Sequence, residues 1–312
     1  MMTTPTRVHT GFTDSTDLLG QPQQLRARAA EDGFLYFRQF LPAEPVWELR
    51  RQMLEVVKRH GWLKPGTELM DGIVDHDAVA ASDARDKSLH AIGVTAAAYR
   101  DIQSLELFHL LPHHPKLIAL FETLLEADVL PHPRHIARVL LPAPSSAPTP
   151  PHQDYIYIQG THRFWTLWFP VGDCPVELGG LSVLRGSHRE PVLDVVAGRG
   201  AGGRESILCG KDYEWVQGDY ACGDIITFPS HMVHKGTPNQ LRDRVRLSCD
   251  LRFQPAHENI EEKSLQPHMD VITWDEVYAG WQNEKLKYYW KDRELKMSPW
   301  DDSLLKAKER IC

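Results

Sequence analysis

The chain has 312 residues, 42% of them apolar and 25% charged, a composition ordinary for a soluble globular protein with a substantial core. Its 42 acidic and 35 basic side chains give a formal charge of −7, which argues against a nucleic-acid-binding face or a polybasic membrane contact. Five cysteines without paired spacing suggest neither a disulfide framework nor a zinc knuckle. No apolar run approaches the ~20 residues of a membrane span, and the polar start lacks a signal segment, so a cytoplasmic location is expected.

Residues 1–20 are polar and read as a flexible N-terminus. From 43 to 60, Val46, Leu49, Met53, Val56 and Val57 recur at helical spacing, which predicts an amphipathic helix ending near Gly61. A second stripe of Leu117, Leu120, Phe121, Leu124 and Leu125 predicts a helix over 115–126. Beyond residue 130 the pattern changes to short β-like runs at 135–141, 153–158, 164–171, 181–184, 224–228, 232–235 and 244–253. Turn residues separate these runs, which points to an antiparallel sandwich or barrel. The proline-rich stretch 142–151 is a stiff connector. The glycine-rich run 197–203 is a flexible loop within a long segment of the kind that often serves as a lid. Residues 256–312 form a charged, tryptophan-bearing helical extension expected to pack on the same domain.

Sixteen histidines invite a metal reading. A 2-His-1-carboxylate set binds one face of Fe(II) and often begins as His-x-Asp on a strand, where side chains two apart share a face. Three such pairs occur: His152-Gln153-Asp154, His188-Arg189-Glu190 and His268-Met269-Asp270. Roughly one His-x-Asp arises by chance in a chain of this composition, so order decides. The pair at 268 has no later histidine to complete a set. The pair at 188 leaves too little chain before His234 for the intervening strands. The pair at 152 opens a strand and leaves room, so His152, Asp154 and His234 are the candidate metal and catalytic residues. His231 competes with His234, but in extended chain the two face opposite ways, and His231 reads as a turn residue. Downstream, Arg244, Arg246, Ser248, Asp250 and Arg252 alternate with apolar residues. Arginines on one face repel unless carboxylates sit among them. Asp250 offsets one, and a dicarboxylate cosubstrate would account for another.

These blocks together resemble the phytanoyl-CoA dioxygenase family of Fe(II)/2-oxoglutarate oxygenases. The resemblance is carried by Asp32-Gly33-Phe34-Leu35, Pro151-His152-Gln153-Asp154, the run Trp165–Pro170, the run Glu177–His188, Gly223–Phe228 and His234–Asn239. The stretch Arg246–Pro255 is similar to bacterial members that hydroxylate natural products. The resemblance implies a mainly β fold with flanking helices, a double-stranded β-helix (jelly roll, cupin-like) over residues 21–255. It also implies Fe(II) on His152, Asp154 and His234, with 2-oxoglutarate held by an arginine of the last strand. The family's usual distance points to Arg244 and the strand's own pattern to Arg246, with Arg244 preferred. Some relatives add a serine two positions after the last histidine. Here that position is Gly236, so a further 2-oxoglutarate contact falls to Thr166 or Thr237.

The expected reaction is hydroxylation, or desaturation, of an unactivated C–H bond of a small molecule by O2, with 2-oxoglutarate converted to succinate and CO2. Retention of Asp154, which related halogenases replace with a small residue, favours this. The alternatives are a cupin-like Zn(II) or Mn(II) hydrolase or isomerase without 2-oxoglutarate, and a binding or sensor protein without turnover. Arg138, Tyr155, Tyr157 and Trp168 are the expected substrate contacts. Neither nucleic acid nor membrane is expected as a partner, and the chain is expected to be a monomer or homodimer.

Overall fold

A computed structural model describes residues 7–85, 93–142 and 147–309. The first six residues of the expected flexible N-terminus, part of the proline connector and the last three residues of the extension lie outside the described residues. The strands are β1 Val8–Thr10, β2 Leu35–Phe37, β3 Val129–Pro131, β4 Ile136–Leu140, β5 Trp165–Pro170, β6 Leu181–Arg185 and β7 Val195–Ala197. They continue as β8 Arg204–Ser206, β9 Glu214–Gln217, β10 Ile225–Pro229, β11 His234–Gly236, β12 Arg246–Pro255, β13 Asn259–Glu261 and β14 Lys296–Ser298. The longer helices span Pro22–Asp32, Ala43–Arg59, His76–Arg85, Ala96–Gln103 and Pro115–Leu125.

The helix Ala43–Arg59 forms where the stripe places it, burying Val46, Leu49, Met53, Val56 and Val57 together with Leu54 and Arg50. A six-stranded sheet runs β2-β10-β5-β12-β3, with β4 also paired to β12. The strict alternation of β12 sorts its two faces. Leu247, Cys249, Leu251 and Phe253 join the helices in one large core, where Phe253 stacks on Phe121 at 3.9 Å. Arg246, Ser248, Asp250 and Arg252 are buried on the other face. On that side Trp168, Ile226 and Phe228 pack with Leu181, Val183 and Val216, which belong to a four-stranded sheet, β1-β9-β6-β11.

The expectation of a mainly β double-stranded β-helix is corrected. The described residues form a mixed α/β fold with four separate sheets, and none of the sheets closes into a barrel. Closure needs edge strands long enough to pair in staggered register. Here β1, β2, β3 and β11, which end the two larger sheets, are three residues each. Helices also occupy the outer face of the larger sheet.

Two further segments differ from the sequence reading. Residues 155–158, expected as strand, are a helical turn, because extended pairing after His152 stops at a single bridge to His234. Residues 8–10, within the polar N-terminal segment, pair in parallel with β9. Among the described residues, the segment beyond 255 holds the paired strands β13 and β14, one short α-helix, Trp274–Tyr278, and several tighter turns. Its aromatic cluster, Trp274, Tyr278, Trp281 and Trp290, packs with Leu130 of β3. Cys174, Cys222 and Cys249 are buried thiols, whereas Cys209 is disulfide-bonded, which the unpaired cysteine spacing did not suggest. No described helix is long and apolar enough to cross a membrane.

Candidate metal centre

His152, Asp154 and His234 converge in the buried space between the two larger sheets, their potential ligand atoms all within 4.8 Å of one another. His152 and His234 face each other across a two-residue bridge, N–H to carbonyl at 3.0 Å in both directions. Each imidazole lies within hydrogen-bond distance of a main-chain carbonyl through Nδ1, His152 with Pro150 at 2.8 Å and His234 with Met232 at 3.0 Å. A carbonyl can only accept, so both Nδ1 atoms carry the hydrogen and both Nε2 lone pairs face inward. Nε2 of His152 is 3.5 Å from Asp154 Oδ1, and that of His234 is 3.7 Å from the same oxygen. Burial, then the neighbouring His152, push His234 down to about 4, so it is neutral near pH 7.

The two oxygens of Asp154 have different tasks. Oδ2 accepts from Thr166 Oγ1 at 2.5 Å and from Arg252 Nη2 at 3.0 Å. Oδ1 is left toward the imidazoles. Burial alone would raise this carboxyl, but the Arg252 guanidinium and the two histidines hold it well below the usual carboxylate range. Two imidazole nitrogens and one carboxylate oxygen, oriented by outer partners and gathered at one point, fit a divalent transition metal with open positions.

A narrow recess on one side of this cluster is lined by Arg138, Trp168, Gly180, Gly236, Arg246 and Asp250, among others. Arg138 pairs with Asp250 at 3.3 Å and Arg252 with Asp154 at 3.0 Å. Among the described residues the third guanidinium, that of Arg246, has no ion pair. It hydrogen-bonds Ser248 through Nη1, and its Nε is buried without a partner. On the other side lies a cavity of about 540 Å3 lined by Tyr157, Ile158, Gly200 to Gly203 and others, with Arg138, Thr149, His152, Asp154 and Arg252 common to both walls.

The remaining expected site residues fall as follows. Arg244 does not reach the recess: it precedes β12, is half exposed, and its nearest acid is Asp243 at 4.0 Å. Thr166 meets Asp154 rather than the recess. Thr237 hydrogen-bonds the Gly180 carbonyl and lines neither space. Trp168 lines the recess alone, whereas Arg138 lines both the recess and the cavity. Tyr155 and Tyr157, which would share a face in a strand, diverge because residues two apart lie on opposite sides of a helical turn. Tyr155 stacks on His162 at 4.0 Å, whereas Tyr157 faces the cavity and meets His152 edge-on. His231 is tied to the Glu190 carbonyl and to His162, and His188 to the Ala30 carbonyl, both away from the cluster. The sequence reading missed the grip of Arg252 on Asp154, although its place in the alternating strand pointed inward. It also missed Arg134 and His268 in the cavity wall, for which spacing offers no signal.

A facial metal set with a lone guanidinium deeper in the same fold is the arrangement that Fe(II) and a 2-oxo dicarboxylate require, and it defines an Fe(II)/2-oxoglutarate-dependent oxygenase acting on a small molecule. The comparisons agree. The sequence profile of phytanoyl-CoA dioxygenase (PhyH) matches residues 29–245, and the chain belongs to that family. It is similar to the 1-deoxypentalenic acid 11-beta-hydroxylase of Streptomyces arenae, 28% identical over 269 residues, covering 82% of this chain and 89% of that protein. The enzyme of the same name from Streptomyces exfoliatus is 28% identical over 273 residues, with the same coverage. Among solved structures, the epimerase SnoN in complex with Fe3+, alpha ketoglutarate and nogalamycin RO shares the fold. Its TM-score is 0.52, with 20% identity over 77% of this chain and 86% of that one. The alpha ketoglutarate dependent carbocyclase SnoK shares it too, with a TM-score of 0.51 and 18% identity over 80% of this chain and 89% of that one.

Proposed function

We propose that His152 Nε2, Asp154 Oδ1 and His234 Nε2 hold the Fe(II), that Arg246 receives the distal carboxylate of 2-oxoglutarate, and that the enzyme hydroxylates an unactivated C–H bond. The substrate occupies the 540 Å3 cavity. Bound together, iron, 2-oxoglutarate and O2 supply the oxidising chemistry, with succinate and CO2 as co-products. The chain does the rest. Thr166 and Arg252 hold Asp154 in one orientation, and the two carbonyls fix the imidazole tautomers. Trp168 and Leu181 give the recess buried apolar walls. The recess measures about 20 Å3, room for a water molecule, so a dicarboxylate is admitted only when side chains lining it move.

The observation that carries this reading is Arg246: a buried guanidinium beside a metal set, without a carboxylate of its own. A metal site that only activates water does not need it. Residues 21–255 act as the oxygenase domain, and the extension belongs to the same body, as its contribution of His268, Met269 and Leu305 to the cavity wall supports. The test is succinate formation from 2-oxoglutarate with Fe(II), Zn(II) or no metal. Turnover only with Fe(II) and O2 supports the proposal, and none with Fe(II) refutes it.

A further inference from the structure

The cavity beside the metal set has a polar end that the oxygenase chemistry does not use. Arg134, just before β4, lines this cavity, and its Nε is buried without a hydrogen-bond partner. Asp270 and Glu261 act on it only from beyond ion-pair distance, whereas Arg138 and Arg252 in the same wall each pair with an aspartate. Among the described residues this guanidinium has no carboxylate in contact.

His268 lines the same cavity. The next two residues, Met269 and Asp270, have φ of 68° and 52°, two consecutive side-chain-bearing residues in the left-handed region. Such a backbone is held only where the surroundings demand it. The Tyr99 hydroxyl meets His268 Nδ1 at 2.7 Å. A hydroxyl donating to Nδ1 leaves the imidazole hydrogen on Nε2. Burial and the nearby arginines keep His268 neutral. Apart from the metal set and the two paired arginines, the wall carries Thr149 and the unpartnered Tyr157 hydroxyl beside an apolar stretch of Ile136, Ile158, Ala201, Met269 and Leu305. His268, Met269 and Leu305 all lie beyond residue 245, where the family match ends.

We propose that Arg134 and His268 form a carboxylate-binding end of the substrate cavity, and that the substrate is therefore a small monocarboxylic acid with an apolar body. The reaction at such a substrate rests on the oxygenase reading; the binding rests on the cavity alone. Selection of the substrate then falls to this chain's C-terminal segment as much as to the family core.

The test is binding, without turnover. Full-length metal-free protein is titrated with decanoate and adamantane-1-carboxylate, each against its neutral primary alcohol. Tryptophan fluorescence and calorimetry serve as readouts. At least one acid binds more tightly than its alcohol. Arg134→Gln weakens the acid about tenfold or more and leaves the alcohol unchanged. Arg134→Lys retains part of the preference, and Tyr99→Phe weakens the acid several-fold. The proposal is overturned if neither acid binds, if acid and alcohol bind alike, or if Arg134→Gln weakens both equally. The visible band formed anaerobically with Fe(II) and 2-oxoglutarate is recorded on the same proteins. A normal band without acid preference overturns the anchor alone. Acid preference without a band supports the anchor and overturns the oxygenase reading.

Discussion

His152 and His234 exchange two main-chain hydrogen bonds of 3.0 Å each, which brings their rings to 4.2 Å between centroids. The two imidazole ligands are thus brought together by main-chain pairing. Preorganisation of this kind keeps ligands converged before a metal arrives.

Asp154 is the ligand whose orientation depends on side chains. Thr166→Val removes the hydroxyl donor to Oδ2 with little change in volume, and Arg252→Met removes the charged donor. Each is expected to weaken Fe(II) binding about tenfold or more, the usual effect of losing an outer-shell partner. Metal titration followed by succinate formation checks this. An unchanged affinity in both variants would remove the two donors from the account of the site.

Arg246 and Arg244 separate cleanly. Arg246→Met is expected to raise the KM for 2-oxoglutarate about tenfold or more, because a charge-assisted hydrogen bond is lost. Arg244→Ala, at a half-exposed position outside the recess, is expected to change it by less than about twofold. The reverse pattern would restore Arg244 to the role that family spacing suggests.

The native state is expected to be acid-sensitive through buried histidines outside the metal set. Burial pushes His109 down to about 4; its Nε2 donates to the Gln103 carbonyl at 2.8 Å among the rings of His135, Trp274 and Trp281. Burial, then Arg293, lowers His113 to about 4 as well. The unfolded histidine titrates near about 6.5. Between the two values the unfolded chain binds more protons, so stability is full above about pH 6.5 and falls as pH drops toward about 4. For His109 the loss at about pH 5.5 is on the order of 1 kcal/mol. Melting temperatures measured from about pH 7.5 to 5.5 should fall less steeply in His109→Gln than in the wild type; identical slopes would count against this.

The helix at 43–59 was legible because five apolar residues at helical spacing have one physical solution, burial on a single face. The inward face of β12 was legible for the same reason, with period two. The turn at 155–158 was not: Tyr-Ile-Tyr-Ile satisfies strand alternation, and only the tertiary constraint that ends pairing at His152 makes it helical. The register of the arginines eluded spacing for a related reason. Arg244 shares the polar parity of the strand, but β12 begins two residues later, so parity alone places one arginine too many inside. Sheet closure depends on edge pairings between segments remote in sequence, and local pattern carries no information about them. Arg134 and His268 meet the cavity through folding of the C-terminal segment, which periodicity cannot report.

The most direct test of the account is anaerobic addition of Fe(II) and 2-oxoglutarate to the metal-free protein, followed by visible absorption. The account predicts a charge-transfer band that forms with both additions, is absent in His152→Ala, and requires higher 2-oxoglutarate in Arg246→Met. No band in the wild type, or an equal band in His152→Ala, would contradict it.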